Sequence, residues 1–244
     1  MLKRLYDKSK LWFAIIWIIA YCVLMSLGDM LSDMLGVQKS VTLIVGLILS
    51  AVLLAFLWRH DLLCEYGFRR PALPARSMLY YLPIAVMLTS NLWFGVGLNY
   101  SVPESVLYVL SMLCVGFLEE VIFRGLLFEA MRRDNVKAAI IVSSLTFGIG
   151  HIINLINGSG ADLVSNLLQL VYATAAGFMF VFIYYRSESI LVCIAAHGVF
   201  NALSAFANTS PSRQGAELLT ALLLTAICAC YALYLLRVRD PRRK

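Results

Sequence analysis

Long apolar stretches alternate with short polar ones along the whole chain. Crossing about 30 Å of hydrocarbon takes roughly 20 consecutive helical residues of mainly apolar character. Eight stretches approach that length, and we predict a membrane-spanning helix in each. They lie near residues 11–28, 41–58, 77–97, 104–131, 138–156, 162–185, 189–207 and 217–236.

Composition supports a membrane protein. Hydrophobic residues make up 61% of the 244 residues, charged residues only 14%, and the mean hydropathy is +0.83. The longest polar interruption, residues 59–76, contains Pro71 and Pro74, which favour a linker rather than a domain. The apolar run that follows Lys10 is long and lacks a small-residue cleavage pattern, so we interpret it as a retained anchor. The predicted fold is an all-α polytopic helix bundle, with residues 1–244 forming a single membrane-embedded domain.

Basic residues predict the orientation in the membrane. Counted over the predicted ends and loops, seventeen lysines and arginines share the side of the N-terminus, whereas two, Lys39 and Arg213, lie on the other side. Cytoplasmic loops are enriched in these residues, so both termini are predicted to be cytoplasmic. The basic residues are spread over many loops, which favours contact with anionic lipid and no nucleic-acid partner. We expect a multi-pass protein of a cell membrane, a bacterial inner or plasma membrane.

Three charged residues lie close together inside the fourth apolar stretch, away from its ends: Glu119, Glu120 and Arg124. A charged side chain near the bilayer centre costs on the order of 2.5 to 3.5 kcal/mol on insertion scales, so such residues are functional candidates. Arg124 follows Glu120 by four residues, on the same helix face, where an ion pair is expected. Glu119 points about 100° away and has no partner that the sequence reveals.

Other polar side chains are predicted at the same depth. His151, His197 and Asn201 lie inside later stretches, and at 1.5 Å per residue they and Glu119 fall about 12 to 20 Å from the cytoplasmic end. His197 and Asn201 are four residues apart and share a helix face, as do Phe147 and His151. We expect the carboxylates, imidazoles and amide to line one cavity that admits water. A desolvated carboxylate suits a general base, and an amide can donate to a developing oxyanion, so the set indicates hydrolysis.

These residues fall in three short motifs, "EEVIFR" (119–124), "FGIGH" (147–151) and "HGVFN" (197–201). In order and spacing they resemble the signature motifs of the CAAX protease and bacteriocin-processing (CPBP or Abi) family of intramembrane endopeptidases. The similar region, the motif core, covers about residues 104–207. The resemblance implies an enzyme that cleaves a membrane-anchored protein or peptide, such as a prenylated CAAX-type protein.

The resemblance also implies a role for each residue. Glu119 and His151 would activate a water molecule, and His197 with Asn201 would stabilise the oxyanion. Glu120, Arg124 and Phe147 would support the site. Members of the family are described both as metal-independent and as zinc enzymes, so Glu119, His151 and His197 are also candidate zinc ligands. The chain lacks the HExxH arrangement, and we favour metal-independent water activation with no certain cofactor.

Several alternatives remain open. Glu120 with Arg124 is equally well explained as a structural ion pair, and either histidine alone as an interhelical hydrogen-bonding residue. Cys193, four residues before His197, is a weak candidate nucleophile because apolar surroundings disfavour a thiolate. An ion-coupled transporter would also place acids and histidines at mid-membrane depth, although no repeat supports it. A non-catalytic immunity or scaffold protein is the third alternative.

Overall fold

Helices account for almost all of the computed structural model, which describes residues 2–155, 162–208 and 214–237. Within these ranges the only pairing between extended segments is an isolated bridge between Val96 and Ala207. The α-helices are α1 Leu2–Lys8, α2 Lys10–Leu35, α3 Ser40–Arg59, α4 Ala75–Met78, α5 Tyr81–Ser90, α6 Val102–Glu120, α7 Glu129–Arg132, α8 Val136–Gly150, α9 Leu163–Ser187, α10 Leu191–Leu203 and α11 Gln214–Arg237. A π-helix at Val121–Phe128 joins α6 to α7, and 3-10 helices at His151–Leu155 and Ser204–Phe206 follow α8 and α10.

Six helical runs are long and apolar enough to cross a membrane, so the protein is a multi-pass membrane protein, as predicted. The runs are Lys10–Leu35, Ser40–Arg59, Val102–Arg132, Val136–Leu155, Leu163–Ser187 and Glu217–Arg237. The other two predicted spans also contain apolar helices, but shorter ones, Tyr81–Ser90 and Leu191–Phe206.

The third predicted span is shortened at both ends by its backbone. Leu79 adopts a left-handed conformation (φ 51°), which separates α4 from α5. Beyond Ser90 the chain turns, and Gly95 has a φ of 100°, a conformation that side chains with a Cβ rarely adopt. Hydropathy alone does not report these turns, because the residues between them are still largely apolar.

Helix α6 carries the two glutamates, and its start is fixed by a capping box. The hydroxyl of Ser101 accepts from the backbone N–H of Glu104, and the Glu104 carboxylate accepts from the backbone N–H of Ser101. This reciprocal pair satisfies two backbone donors that a helix start otherwise leaves free. From there the chain stays helical through Arg132.

The π-helix begins immediately after Glu120. Its i→i+5 hydrogen bonds make wider turns than those of an α-helix, and short π segments recur at functional sites. All eight residues of Val121–Phe128 are buried. The sequence predicts one uninterrupted helix here, and periodicity gives no sign of the change, because a run that is buried on every side has no solvent-facing polar side to mark its pitch.

Helices α6 and α10 cross closely at two glycines. A Cβ placed on Gly116 would lie 2.5 Å from the backbone N and Cα of Gly198. Small residues at such crossings let two helix backbones approach in a membrane. The crossing lies three residues before Glu119 and one after His197, so it brings the first and third motifs together.

We expect Gly116→Ala to destabilise the protein by about 1–3 kcal/mol, because the added methyl group overpacks the crossing and pushes α6 from α10. The thermal unfolding midpoint in detergent measures the effect. Gly125→Ala is the matched control, since its Cβ would meet its nearest neighbour at 3.6 Å, an ordinary contact. Equal midpoints for the two variants would contradict the proposed role of the crossing.

Candidate active site

Glu119 lies on the last turn of α6 with its side chain almost fully buried. Its Oε1 accepts a hydrogen bond of 2.7 Å from the hydroxyl of Tyr21, which lies on α2. Its Oε2 has no hydrogen-bond donor among the described residues, and the Nε2 of His197 lies 3.4 Å away. One carboxylate oxygen is therefore held in place, while the other is available to a proton.

Glu120 points in a different direction from Glu119, as the 100° rotation between neighbouring residues predicts, and contacts the other ring nitrogen of His197. Its Oε1 lies 2.8 Å from the Nδ1 of His197 and 3.0 Å from Nη1 of Arg124. Glu120 and Arg124 are both completely buried. The ion pair predicted from their spacing forms, and it also holds the imidazole of His197.

Two aromatic rings enclose the guanidinium of Arg124. Its Cζ lies 4.1 Å from the ring centroid of Phe147 and 5.5 Å from that of Phe180. A cation over an aromatic face is stabilised by the ring quadrupole, more strongly when it is removed from water. Phe147 also contacts the rings of His151 and His197, with centroids 5.0 and 5.6 Å apart. Phe147 is thus the packing centre of all three motifs.

His197 lies between the two glutamates. A carboxylate only accepts hydrogen bonds, so the short contact with Glu120 requires a proton on Nδ1 of His197. The facing atoms, Nε2 of His197 and Oε2 of Glu119, lie 3.4 Å apart. The ring stacks on Phe180 with an interplanar angle of 21°, which fixes its orientation.

His151 lies at the end of α8, where the 3-10 helix begins. The helical run continues to Leu155, so His151 lies inside the fifth predicted span. Its Nδ1 lies 2.9 Å from the backbone oxygen of Phe147, and its own backbone oxygen accepts from the amide of Asn166. A bond from Nδ1–H to a carbonyl leaves Nε2 of His151 as the nitrogen able to accept a proton.

A cavity of about 310 Å³ brings most of the predicted residues together. Glu119, His151 and Asn201 line it, and so does Tyr21. A smaller adjoining cavity, of about 50 Å³, is lined by His151, His197 and Asn201. Phe147 lines both, whereas the buried Glu120 and Arg124 lie behind the wall formed by His197. The four residues predicted to be catalytic therefore share one connected space, in which no hydrogen bond joins Glu119 directly to His151.

The candidate zinc ligands are not gathered into a metal site. Among the described residues no group of three or more His, Cys, Asp and Glu side chains is arranged to hold a metal ion. A catalytic zinc needs three protein ligands with an open fourth position. The placement of Glu119, His151 and His197 does not fit that requirement, and the zinc-dependent alternative stays a prediction.

Tyr21 is the site residue that the sequence did not reveal. It lies eleven residues after Lys10, about 16 Å along α2, which is the depth predicted for Glu119 and the histidines. Tyrosine is common in apolar helices, so Tyr21 does not stand out from the sequence as a charged residue does. A depth comparison that included tyrosine would have selected it.

Comparison with known proteins gives two matches. The family model described as "Type II CAAX prenyl endopeptidase Rce1-like" matches residues 101–203. The chain is also similar to "Putative membrane peptidase YdiL" of Bacillus subtilis (strain 168), with 31% identity over 134 residues. That similarity covers 51% of this chain and 50% of the relative, so the chain matches about half of the relative's length. No solved structure matches.

The matched range contains all three motifs, including every predicted catalytic and supporting residue. It begins at the capping box of α6 and ends with α10, so it includes many of the residues that line the cavity, while α2 and the start of α3 also line it. Tyr21, on α2, lies outside it. The resemblance predicted from the motifs is confirmed: residues 101–203 of this chain are similar to the Rce1-like type II CAAX prenyl endopeptidases of the CPBP family.

Proposed function

We propose that the protein is an intramembrane endopeptidase that uses a glutamate-activated water molecule to cleave a membrane-associated protein or peptide. The observation that carries the proposal is the pairing of Glu119 Oε2 with His197 Nε2 at 3.4 Å beside a cavity of about 310 Å³. A buried carboxylate with one oxygen fixed and the other open is suited to take a proton from water. The similarity to CAAX prenyl endopeptidases makes a prenylated C-terminus one substrate to test.

The positions of the side chains support the following reaction. Glu119 accepts a proton from a water molecule in the cavity while the Nε2 of His151 orients that water. The resulting hydroxide attacks the carbonyl carbon of the scissile peptide bond. The amide of Asn201 and the imidazolium of His197 donate to the oxyanion that forms. The proton held by Glu119 passes to the leaving amine, and the C–N bond breaks.

The buried ion pair of Glu120 and Arg124 supports this chemistry by holding His197 in place. Glu120 fixes the Nδ1–H of His197, and Arg124 balances the charge of Glu120 in a place that water does not reach. An orienting carboxylate keeps an imidazole in one tautomer and favours its charged form. Both residues thus act through His197 and have no contact with the substrate.

The test is a cleavage assay with the purified protein in lipid vesicles. A farnesylated CAAX peptide and a set of membrane-anchored peptides are offered, and the products are identified by mass spectrometry. Cleavage that chelators abolish and zinc restores would replace the proposal with the metal-dependent mechanism. Absence of any cleavage together with a proton or cation flux that depends on Glu119 would favour the transporter alternative.

Tyr21 is predicted to position Glu119. Tyr21→Phe removes the donor to Oε1 of Glu119, and a hydrogen bond to a charged group contributes about 1.5–3 kcal/mol, or roughly ten- to a hundredfold in rate. We expect kcat to fall by about that factor with KM unchanged, as measured in the same assay. Tyr66→Phe is the matched control, because it removes a buried Tyr66–Tyr6 hydrogen bond of 2.9 Å away from the cavity. Equal loss of activity in both variants would contradict the assignment.

A further inference from the structure

The cavity extends from Glu119 toward one end of the bundle. From Tyr21 it follows α2 to Asp29, eight residues or about 12 Å further on. There its lining includes Lys39, whose ammonium group pairs with Asp29 at 2.7 Å, both side chains being about one-fifth exposed. A second cavity of about 210 Å³ continues past them along Tyr100. We call this end, which contains the α2–α3 turn, the mouth.

At the other end the site is closed. Behind His197 the chain packs Arg124, Leu126, Phe128 and Tyr184, all of them buried. Tyr184 donates a hydrogen bond of 2.6 Å to Glu129, which fills the remaining space between α7 and α9. A polypeptide therefore reaches Glu119 through the mouth.

Basic residues lie at this closed end. All described lysines and arginines other than Lys39 and the buried Arg124 are found in α1, at the start of α2, in residues 59–76 and 132–137, and at the ends of α9 and α11. Contacts join these segments into one surface. Glu65 accepts from both Lys10 and Arg133, at 2.6 and 3.3 Å, and Arg69 pairs with Glu188 at 2.6 Å.

The closed end of the cavity and the basic residues that lie there together indicate how the cavity is oriented across the membrane. Lysine and arginine near the ends of membrane helices mark the cytoplasmic side, so the closed, basic end faces the cytoplasm. The mouth, with Lys39 as its single described basic residue, faces the opposite side of the membrane. The orientation does not depend on the chemistry of the site.

We propose that the active site is reached from the non-cytoplasmic side of the membrane. Its substrates are then exported peptides, or membrane proteins whose segment next to the membrane lies on the outer side, rather than proteins whose lipidated C-terminus is held at the cytoplasmic face. The substrate class rests on the proposed peptidase function, whereas the direction of the mouth does not. Asp29 and Lys39 are charged groups that such a segment meets at the mouth.

Thiol labelling of intact cells tests the direction. Cys64 is exposed in the basic segment 59–76, and Val37 is exposed in the turn at the mouth. A charged maleimide does not cross hydrocarbon, because inserting a charge is too costly. We expect it to label Val37→Cys, made in a Cys64→Ser background, equally in intact and permeabilised cells. Native Cys64 is expected to be labelled at least about tenfold less in intact cells than after permeabilisation. The Cys64→Ser parent gives the background from the other cysteines.

Two reporters test the substrate class in the same cells. Each has one membrane span and a tagged tail next to the membrane, on the outer side in one reporter and on the cytoplasmic side in the other. We expect cleavage of the outer tail alone, and only with an intact Glu119. Labelling of Cys64 but not of the Val37→Cys variant in intact cells, or Glu119-dependent cleavage of the cytoplasmic tail, would overturn the inference. The expected labelling with neither reporter cleaved would uphold the direction of the mouth and count against the peptidase function.

Discussion

Glu119→Gln is expected to lower the rate of peptide cleavage by about 10²- to 10⁴-fold, the usual contribution of a general base. The amide keeps the size of the carboxylate and can still accept from Tyr21, so the fold should persist. It cannot take a proton from water, however. The measurement is kcat with the best peptide found, in vesicles at matched protein concentration.

Glu129→Gln is the matched control for this change. Glu129 lies on the same helical run, is buried, and hydrogen-bonds to Tyr184 and Arg132, but it does not line the cavity. Its replacement changes one buried carboxylate to an amide, as at Glu119, without touching the reacting groups. We expect near-normal kcat. A Glu119→Gln variant as active as the Glu129→Gln variant would remove Glu119 from the mechanism.

The sequence was sufficient to predict much of this site because the membrane makes polar residues expensive. In stretches of mainly apolar residues, Glu119 and His197 are functional candidates because placing ionisable side chains in a membrane costs free energy. A rise of 1.5 Å per residue predicts that they lie at one depth. The ion pair of Glu120 with Arg124 followed from a spacing of four. The structure adds the direct contact of His197 with both glutamates, which no count of depth can specify, because depth leaves the rotation of each helix open.

Other features had no signal of this kind. The π-helix after Glu120 lies in a run that is buried on every side, so its wider turns leave no trace in the pattern of apolar positions. Helix α5 starts late because Leu79 adopts a left-handed backbone conformation, which the amino-acid composition of the segment does not predict. The proposed direction of the mouth rests on both kinds of information, the charges of the loops from the sequence and the closed packing behind His197 from the structure.

Arg124→Met is expected to be the most destabilising single change in the site. Removing one partner of a buried ion pair leaves an uncompensated charge and costs about 3–5 kcal/mol. Here the charge left behind is that of Glu120, which no water reaches and which is completely buried. We expect the thermal unfolding midpoint in detergent to fall by about 10 °C, since 1 kcal/mol shifts a chain of this size by about 2–4 °C. Glu120→Gln should cost a similar amount, because it leaves the guanidinium unpaired between Phe147 and Phe180.

The double variant separates charge pairing from packing. With Glu120→Gln and Arg124→Met together neither charge of the pair remains. The methionine sulfur can contact the same aromatic rings, and the amide oxygen of the glutamine still accepts from Nδ1 of His197. The double variant should therefore be more stable than either single variant, with a coupling energy of about 0.5–3 kcal/mol in the cycle. Its activity should stay low, because a neutral residue beside His197 no longer favours the imidazolium that donates to the oxyanion. Additive losses of stability would instead mean that Glu120 and Arg124 are held independently by their neighbours, and that the pair has no joint role in fixing His197.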